Sequence, residues 1–455
     1  MAIYRDLEKH LKAGIRRYNV PGASIAIYRN GRVHSAAAGV LNVDTGVTAT
    51  TDSVFQIGSI SKVFTATLIL QLADAGLVDI DAPLADYLPG FRVADPVVSR
   101  TVTLRQLLSH TSGIEGDYFV DSGRGEDAIA RLQDMGALLP SLFPPGERMS
   151  YCNFGYAMLG RVIEVVTGET FDQAIRRRLF KPLGMTHALT LPEDTVRYRT
   201  AIGHVPHPDK PGVNVQTPMP WLSIGQKAAG ATPSMSAPDL MKFVDMHLNG
   251  GRNPAGDRIL SPARVREMQR AQIALPRHTA RGVHAWGLGW FLLRWSGQAL
   301  IGHDGGTVGQ YSFLRVLPKQ RLAVALLTNG GNALNLAEQM FAQTLEPLGR
   351  VHAPALPEPK PGVRVDAERL CGTYENLTTV NRVARQGENL TIAIEPKTPG
   401  GAPLPATPLH FIDRNTAVLR TGEPALDAAP INFQQLNDGP ARYLGVGFRL
   451  ARRTG

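Results

Sequence analysis

Sulfur chemistry is scarce in this chain. It carries two cysteines, Cys152 and Cys371, far apart in sequence. One disulfide between them is possible, and nothing in the pattern demands it. Metal-ligand spacings are missing as well: there is no C-x-x-C or H-E-x-x-H, and the twelve histidines are dispersed. Neither a metal ion nor another cofactor is therefore expected. No apolar run reaches the length of a membrane span. The start, Met1-Ala2-Ile3-Tyr4-Arg5-Asp6-Leu7-Glu8, lacks the continuous apolar core that follows a basic segment in a signal peptide. A cytoplasmic protein is the expectation, although a secreted chain with its leader removed would read the same. Internal repeats and low-complexity tracts are absent.

What is present is an ordinary globular balance, 43% hydrophobic and 19% charged in 455 residues, which excludes global disorder and predicts about two to three domains. The net charge is +9. Its lysines and arginines are scattered, and the densest run, Arg176-Arg177-Arg178, reads as a solvated helix face. A nucleic-acid partner is therefore not expected. The excess could instead favour an acidic substrate or an acidic carrier protein.

Residues 3–18 have helical periodicity, with Ile3, Leu7, Leu11 and Ile15 four apart, stopped by Pro21-Gly22. Residues 23–28 and 33–40 read as a strand pair around the turn Arg29-Asn30-Gly31-Arg32. The helix from Ser59 to about Ala75 is apolar nearly all round, which marks it as central and buried. From Val78 to about Ala285 helix and loop dominate, with a capped helix at 103–108, a rigid turn at Phe143-Pro144-Pro145-Gly146 and a helix over 154–166 closed by Gly168. Residues 200–228, which include Trp221, read as loops near a cleft mouth. Strands are expected at 285–292, 299–306, 311–316 and 322–327, then a helix near 334–345. The proline-rich stretch 352–362 is a semi-rigid linker. Beyond it, 363–455 reads as short strands suited to a small barrel or sandwich.

Chemistry concentrates in Ser59-Ile60-Ser61-Lys62. On a helix, residues three apart share a face, so the Lys62 amine can reach the Ser59 hydroxyl. A serine needs a neighbour to take its proton, and a lysine in an apolar cleft can have its pKa lowered enough to do so. Alone, S-x-x-K is a common chance pattern. Two further pieces follow in order: Tyr151-x-Asn153 at a loop–helix junction, and His303-Asp304-Gly305-Gly306 where a strand meets a glycine-rich turn. His110, in Ser109-His110-Thr111-Ser112-Gly113, reads better as a loop-ordering residue than as a triad member, because no third partner is placed for it.

Taken together, these three pieces resemble the penicillin-binding-protein and serine β-lactamase family, which includes class C β-lactamases, DD-carboxypeptidases, D-aminopeptidases and esterases. The local matches Leu107–Gly113, 143–146 and Trp286-Gly287-Leu288-Gly289-Trp290 extend the resemblance over roughly residues 10–350. It implies an α+β fold: a catalytic domain over 1–351, with an antiparallel sheet and a helical lobe at roughly 76–284. A cleft lies between sheet and lobe. The segment 363–455 resembles the lipocalin-like β-domain that some members carry. By the same resemblance Ser59 is the nucleophile, Lys62 and Tyr151 share proton transfer, and Asn153 positions Lys62 and the substrate amide. The backbone N–H groups of Ser59 and Gly306 form the oxyanion hole. His303 stands where many β-lactamases have lysine and is a weaker carboxylate anchor, because imidazole can be neutral near pH 7. Asp304, Gly305, Trp221 and Arg449 are candidate substrate contacts. Arg442, Arg449, Arg452 and Arg453 could meet a carboxylate, with scattered surface charge as the simpler reading of all four.

The expected function is a serine hydrolase acting through an acyl-enzyme on a peptide, amide or ester. One alternative is a penicillin-binding-protein-type thioesterase that releases and cyclises a carrier-bound peptide. Another is a binder or sensor that is acylated without turnover.

Overall fold

The computed structural model describes residues 2–397, 402–435 and 439–455. Its frame is an eight-stranded antiparallel sheet. The strands are β1 (Gly22–Arg29), β2 (Arg32–Gly39), β3 (Ile273–Ala274), β4 (Val283–Trp286), β5 (Phe291–Trp295), β6 (Gln298–Thr307), β7 (Gln310–Leu317) and β8 (Leu322–Thr328). Their spatial order is β2-β1-β8-β7-β6-β5-β4-β3, so the N-terminal hairpin closes onto the last strand in sequence. At the hairpin turn Asn30 and Gly31 both take positive φ, 49° and 85°, which matches the right-handed twist of the flanking strands.

Helices cover both faces of this sheet. On one, helix α1 (Ala2–Arg17) lays down Leu7, Leu11 and Ile15 beside the C-terminal helix of the domain, Ala333–Gly349. On the other lies α2 (Ser61–Asp74), with Lys62, Phe64 and nearly every other side chain buried. Around α2 pack α3 (Asn153–Thr167), closed by Gly168 at φ 68°, and α4 (Ala237–Leu248). The helix Ala333–Gly349 is α5. The family-type fold expected from the sequence, α+β with a helical lobe against an antiparallel sheet, is the fold observed.

One strand differs from expectation. The stretch 285–292 is not continuous: β4 ends at Trp286 and β5 begins at Phe291. Gly287 and Gly289 lie between them, and Gly289 has φ +82°. The apolar run spans this turn because its residues are buried on both sides of it, so hydrophobicity alone does not mark the break.

The C-terminal part is a nine-stranded antiparallel sheet. It comprises β9 (Gly372–Glu375), β10 (Thr379–Gln386), β11 (Asn389–Pro396), β12 (Leu404–Pro408), β13 (His410–Asp413), β14 (Thr416–Val418), β15 (Ile431–Gln434), β16 (Tyr443–Val446) and β17 (Arg449–Arg453). The two edge strands, β12 and β13, are consecutive in the chain with only Leu409 between them. The sheet therefore curls nearly into a barrel, around a core that includes Leu370, Tyr374, Ile392 and Phe433. Strand β10 shows only two fully buried side chains, which is why its sequence carries no strand signal. The domain docks through Tyr443 and Leu450, which pack on Leu142 and Phe143 of the rigid proline turn. Tyr443 also donates to the Leu142 carbonyl at 3.1 Å. Both cysteines are free thiols. Among the described residues no helix is long and apolar enough to cross a membrane.

The central helix sets stability. Phe64 is 1% exposed and its ring stacks on Phe243 at 3.8 Å and meets Phe180 edge-on at 6.2 Å. Phe64→Ala is expected to cost about 3–5 kcal/mol, read as a lower denaturation midpoint at unchanged slope.

Candidate active site

Ser59 lies in a short 3-10 turn, Gly58–Ile60, immediately ahead of α2. The turn is pressed against β6. A Cβ on Gly58 would sit 2.5 Å from the Gly306 nitrogen, and one on Gly305 would sit 2.0 Å from the Ile57 carbonyl oxygen. Only glycine permits this approach, and it brings the backbone nitrogens of Ser59 and Gly306 to one cleft floor.

One turn along, Lys62 is fully buried. Its Nζ has three partners: Ser59 Oγ at 3.0 Å, Asn153 Oδ1 at 2.7 Å and the Ala229 carbonyl at 2.5 Å. The orientation of Asn153 is fixed, because its Nδ2 donates to Asp117 Oδ1 at 2.6 Å. Two of the three partners of Lys62 are therefore pure acceptors. A neutral amine has two N–H groups and one lone pair. With its N–H groups on Asn153 and Ala229, the lone pair is left for the Ser59 hydroxyl. The electrostatics agree. Burial lowers the Lys62 pKa well below the ordinary lysine range, and the nearby Arg449 cation lowers it further against the pull of Asp117.

Tyr151 closes the other side. Its ring lies 4.8 Å from Lys62 Nζ and stacks on His110 at 4.2 Å between centroids. Burial raises the phenol pKa, while the Ser59 hydroxyl and Arg449 draw it back. The hydroxyl makes no hydrogen bond of good geometry among the described residues. His110 acts as the loop-ordering residue expected from its context. Its Nδ1 accepts from the Cys152 N–H at 3.0 Å, and the residue itself takes φ 58°. That bond puts the remaining ring proton on Nε2, so His110 braces Tyr151 as a neutral ring. The Cys152 thiol caps α3 by accepting from the Gly155 N–H at 3.2 Å.

His303 is 2% exposed. Burial pushes its pKa down to about 3, and its Nδ1 bonds the Asp304 carbonyl at 2.7 Å. It is a neutral wall of the cleft and not a cation.

The cation comes from the other domain. Arg449 opens β17, and its Cζ lies 5.0 Å from the Tyr151 ring centroid. Asp117 takes its Nε and, at 3.3 Å, its Nη2. Nη1 makes no hydrogen bond among the described residues, and the side chain stays 42% exposed at the cleft. The backbone around it is stitched to the catalytic domain: the Tyr151 N–H donates to the Phe448 carbonyl at 2.8 Å, and the Leu450 N–H to Ser150 Oγ at 3.2 Å. Scattered surface charge describes Arg442 and Arg452, which are exposed, while Arg453 covers Tyr374 away from the cleft. For Arg449 that simpler reading fails, because the β16–β17 turn carries it into the site.

The cleft encloses about 390 Å3 and includes Ser59, Tyr151, Asn153, His303, Gly305, Gly306 and Arg449 in its lining. One sequence candidate stands differently from expectation. Trp221 is half-buried and does not line the cleft; its neighbour Leu222 does. Gln56 Nε2 holds the Pro220 carbonyl at 2.7 Å, which anchors the segment beside that position. Asp304 does line the cleft, with its carboxylate paired to Arg315 on β7 at 2.5 and 3.0 Å. Asp117, Ala229 and Phe448 were not legible beforehand. Ala229 acts through its carbonyl, which no side-chain pattern records, and Asp117 and Phe448 sit in loops without periodicity.

Comparison with known proteins places these residues in context. The β-lactamase family model matches residues 6–369. Penicillin-binding protein 4 of Amycolatopsis lactamdurans is 44% identical over 365 residues, 79% of this chain and 94% of that protein. The crystal structure of SurE is 29% identical with a TM-score of 0.81, covering 100% of this chain and 99% of SurE. Its complex with D-Leu gives 0.77 at the same identity, with both chains covered in full. A D-stereospecific amidohydrolase from Streptomyces sp. is 26% identical with a TM-score of 0.60, over 75% of this chain and 99% of its own.

The buried histidines make stability depend on pH. His303 and His247 each have pKa values pushed down to about 3 by burial, while the unfolded chain takes up these protons near pH 6.5. Stability is full above about 6.5 and is lost as pH falls toward 3. Each histidine is expected to cost about 2 kcal/mol at pH 5. Urea midpoints at pH 8, 6.5 and 5 check this, and His247→Gln, distant from Ser59, should flatten the decline.

Proposed function

The chain belongs to the β-lactamase family of serine hydrolases, and from that premise we propose that it transfers the acyl group of a D-configured residue through an acyl-enzyme on Ser59. Amide hydrolysis is the coarse activity. The finer reading is a substrate whose scissile carbonyl belongs to, or adjoins, a D-amino acid, and which carries a carboxylate for Arg449. The observation that carries the acyl-transfer chemistry is the seating of Lys62 Nζ, 3.0 Å from Ser59 Oγ and held by two fixed acceptors, Asn153 Oδ1 and the Ala229 carbonyl.

In this reading Ser59 Oγ bonds to the carbonyl carbon as its proton passes to Lys62. The oxygen that gains charge faces the Ser59 and Gly306 backbone N–H groups, a preorganised pair of donors. As the bond to the leaving group breaks, Tyr151 donates its proton to that group and is reprotonated from Lys62. Water or an amine then attacks the acyl-enzyme by the reverse relay, and Ser59 recovers its proton. Neutral His303 leaves carboxylate recognition to Arg449, whose Nη1 is unoccupied and whose side chain is part-exposed at the cleft. The D configuration is supported by the SurE complex with D-Leu and by the D-stereospecific amidohydrolase.

Intact-protein mass spectrometry with D- and L-amino acid amides, esters and thioesters tests this. A Ser59 adduct or turnover is expected with the D series, and Ser59→Ala should abolish both; no adduct and no turnover with any donor overturns the reading. Tyr151→Phe should slow acylation by about 10²–10⁴. Arg449→Gln should raise KM for donors with a free carboxylate and leave their amidated counterparts less affected. Equal effects on both would remove Arg449 from substrate recognition.

A further inference from the structure

A second cavity, of about 290 Å3, lies beside the catalytic cleft between the sheet and α5. Phe291, Asp304, Phe313 and Phe448 line both spaces. The divider is therefore one layer of side chains, and three of the four are aromatic. Phe448 is the one of its three aromatic members that is not fully buried. It sits at the β16–β17 turn beside Gly447, which has φ +57°. Its ring meets Trp286 at 5.2 Å and Phe291 at 6.5 Å, and it is only half-buried.

The chemistry of the cavity is that of a neutral guest. Trp295, Phe341, Leu334, Ala337 and Val351 contribute apolar wall. Its charged groups are neutralised in pairs: Arg281 with Glu338 at the rim and Arg315 with Asp304 at the divider. Arg315 is itself 9% exposed and lies flat among Phe291, Phe341 and Trp295, 5.2, 5.2 and 5.6 Å from their centroids. A charged ligand would find no unpaired counter-charge there. The volume is close to the lower bound for small-molecule sites, enough for one side chain and too small for a second folded element.

We propose that this cavity is a specificity chamber that receives a neutral apolar side chain of the substrate, aromatic or branched aliphatic, with Phe448 as the divider between it and Ser59. The proposal rests on the acyl-transfer reading above for its substrate and on the shared lining for its location. The C-terminal domain then selects substrates through Phe448 as well as through Arg449.

The test uses the full chain and two variants outside the catalytic residues. Ala342, exposed on α5 at the chamber mouth, is changed to Trp to fill it; Leu334→Ala enlarges it. The p-nitroanilides of D-Ala, D-Leu and D-Phe are compared. Ala342→Trp is expected to lower kcat/KM tenfold or more for D-Leu and D-Phe and to leave D-Ala within twofold. Leu334→Ala should move preference toward D-Phe. Uniform loss across the three, or no change in either variant, overturns the chamber. If wild-type protein hydrolyses none of them, the acyl-transfer reading is decided by the adduct experiment above, because these anilides lack the carboxylate that Arg449 would hold. The chamber is then read by calorimetry of D-phenylalanine amide binding to Ser59→Ala protein with and without Ala342→Trp. Tenfold weaker binding in the filled variant supports it, and equal or absent binding in both overturns it.

Discussion

A buried lysine amine between three oxygens is the constraint on which the rest of this structure depends. Desolvating an ammonium costs several kcal/mol unless it is paired, and Lys62 has no carboxylate in contact. Instead it has Asn153 Oδ1, the Ala229 carbonyl and Ser59 Oγ. The fold meets this by giving the amine three oxygen partners, while burial lowers its pKa well below the ordinary lysine range. Every neighbouring feature serves that geometry. Gly58 lets the turn before α2 press onto β6, α3 presents Asn153 from its first residue, and the 3-10 turn ending at Ala229 delivers a carbonyl.

The second domain enters through the same geometry. Asp117 accepts from Asn153 on one oxygen and engages Arg449 from β17 with both. The chain of contacts Lys62–Asn153–Asp117–Arg449 therefore links the catalytic amine to the C-terminal sheet in three steps. Moving β17 would change both the orientation of Asn153 and the field at Lys62, where Arg449 and Asp117 act with opposite sign. The backbone bonds of Tyr151 to Phe448 and of Leu450 to Ser150 hold that register. The catalytic cleft is thus not complete within the β-lactamase-like domain; its far wall is the β16–β17 turn.

Much of this was legible in the sequence because catalytic chemistry requires side chains at fixed local spacing. Ser59 and Lys62 are one helical turn apart, Tyr151 and Asn153 flank a helix start, and Gly305-Gly306 mark a close backbone approach. Each leaves a pattern. The N-terminal hairpin was equally visible, since Asn30-Gly31 encodes its turn. What escaped depends on long-range docking. Ala229 contributes a carbonyl, Asp117 gains its role only when Arg449 arrives 332 positions later, and β10 has an open, half-exposed pattern. Asp304 was legible as a cleft residue from its place beside the glycine turn, but its partner Arg315, across a strand pair, was not.

The identity of residue 303 follows from this electrostatics. A lysine there would place a second amine beside Lys62 in the same water-poor cleft, at the cost of desolvating another cation. His303 stays neutral, its Nδ1 tied to the Asp304 carbonyl. With His303 neutral, the sheet side of the cleft offers no unpaired cation among the described residues, since Arg315 is paired with Asp304. Arg449 supplies one from the opposite wall, paired to Asp117 near Tyr151 and Lys62. The positive group of the cleft thus stands on a turn that belongs to another domain. The seating of that domain thereby sets where the cation stands, and through Asp117 and Asn153 it also reaches the Lys62 amine.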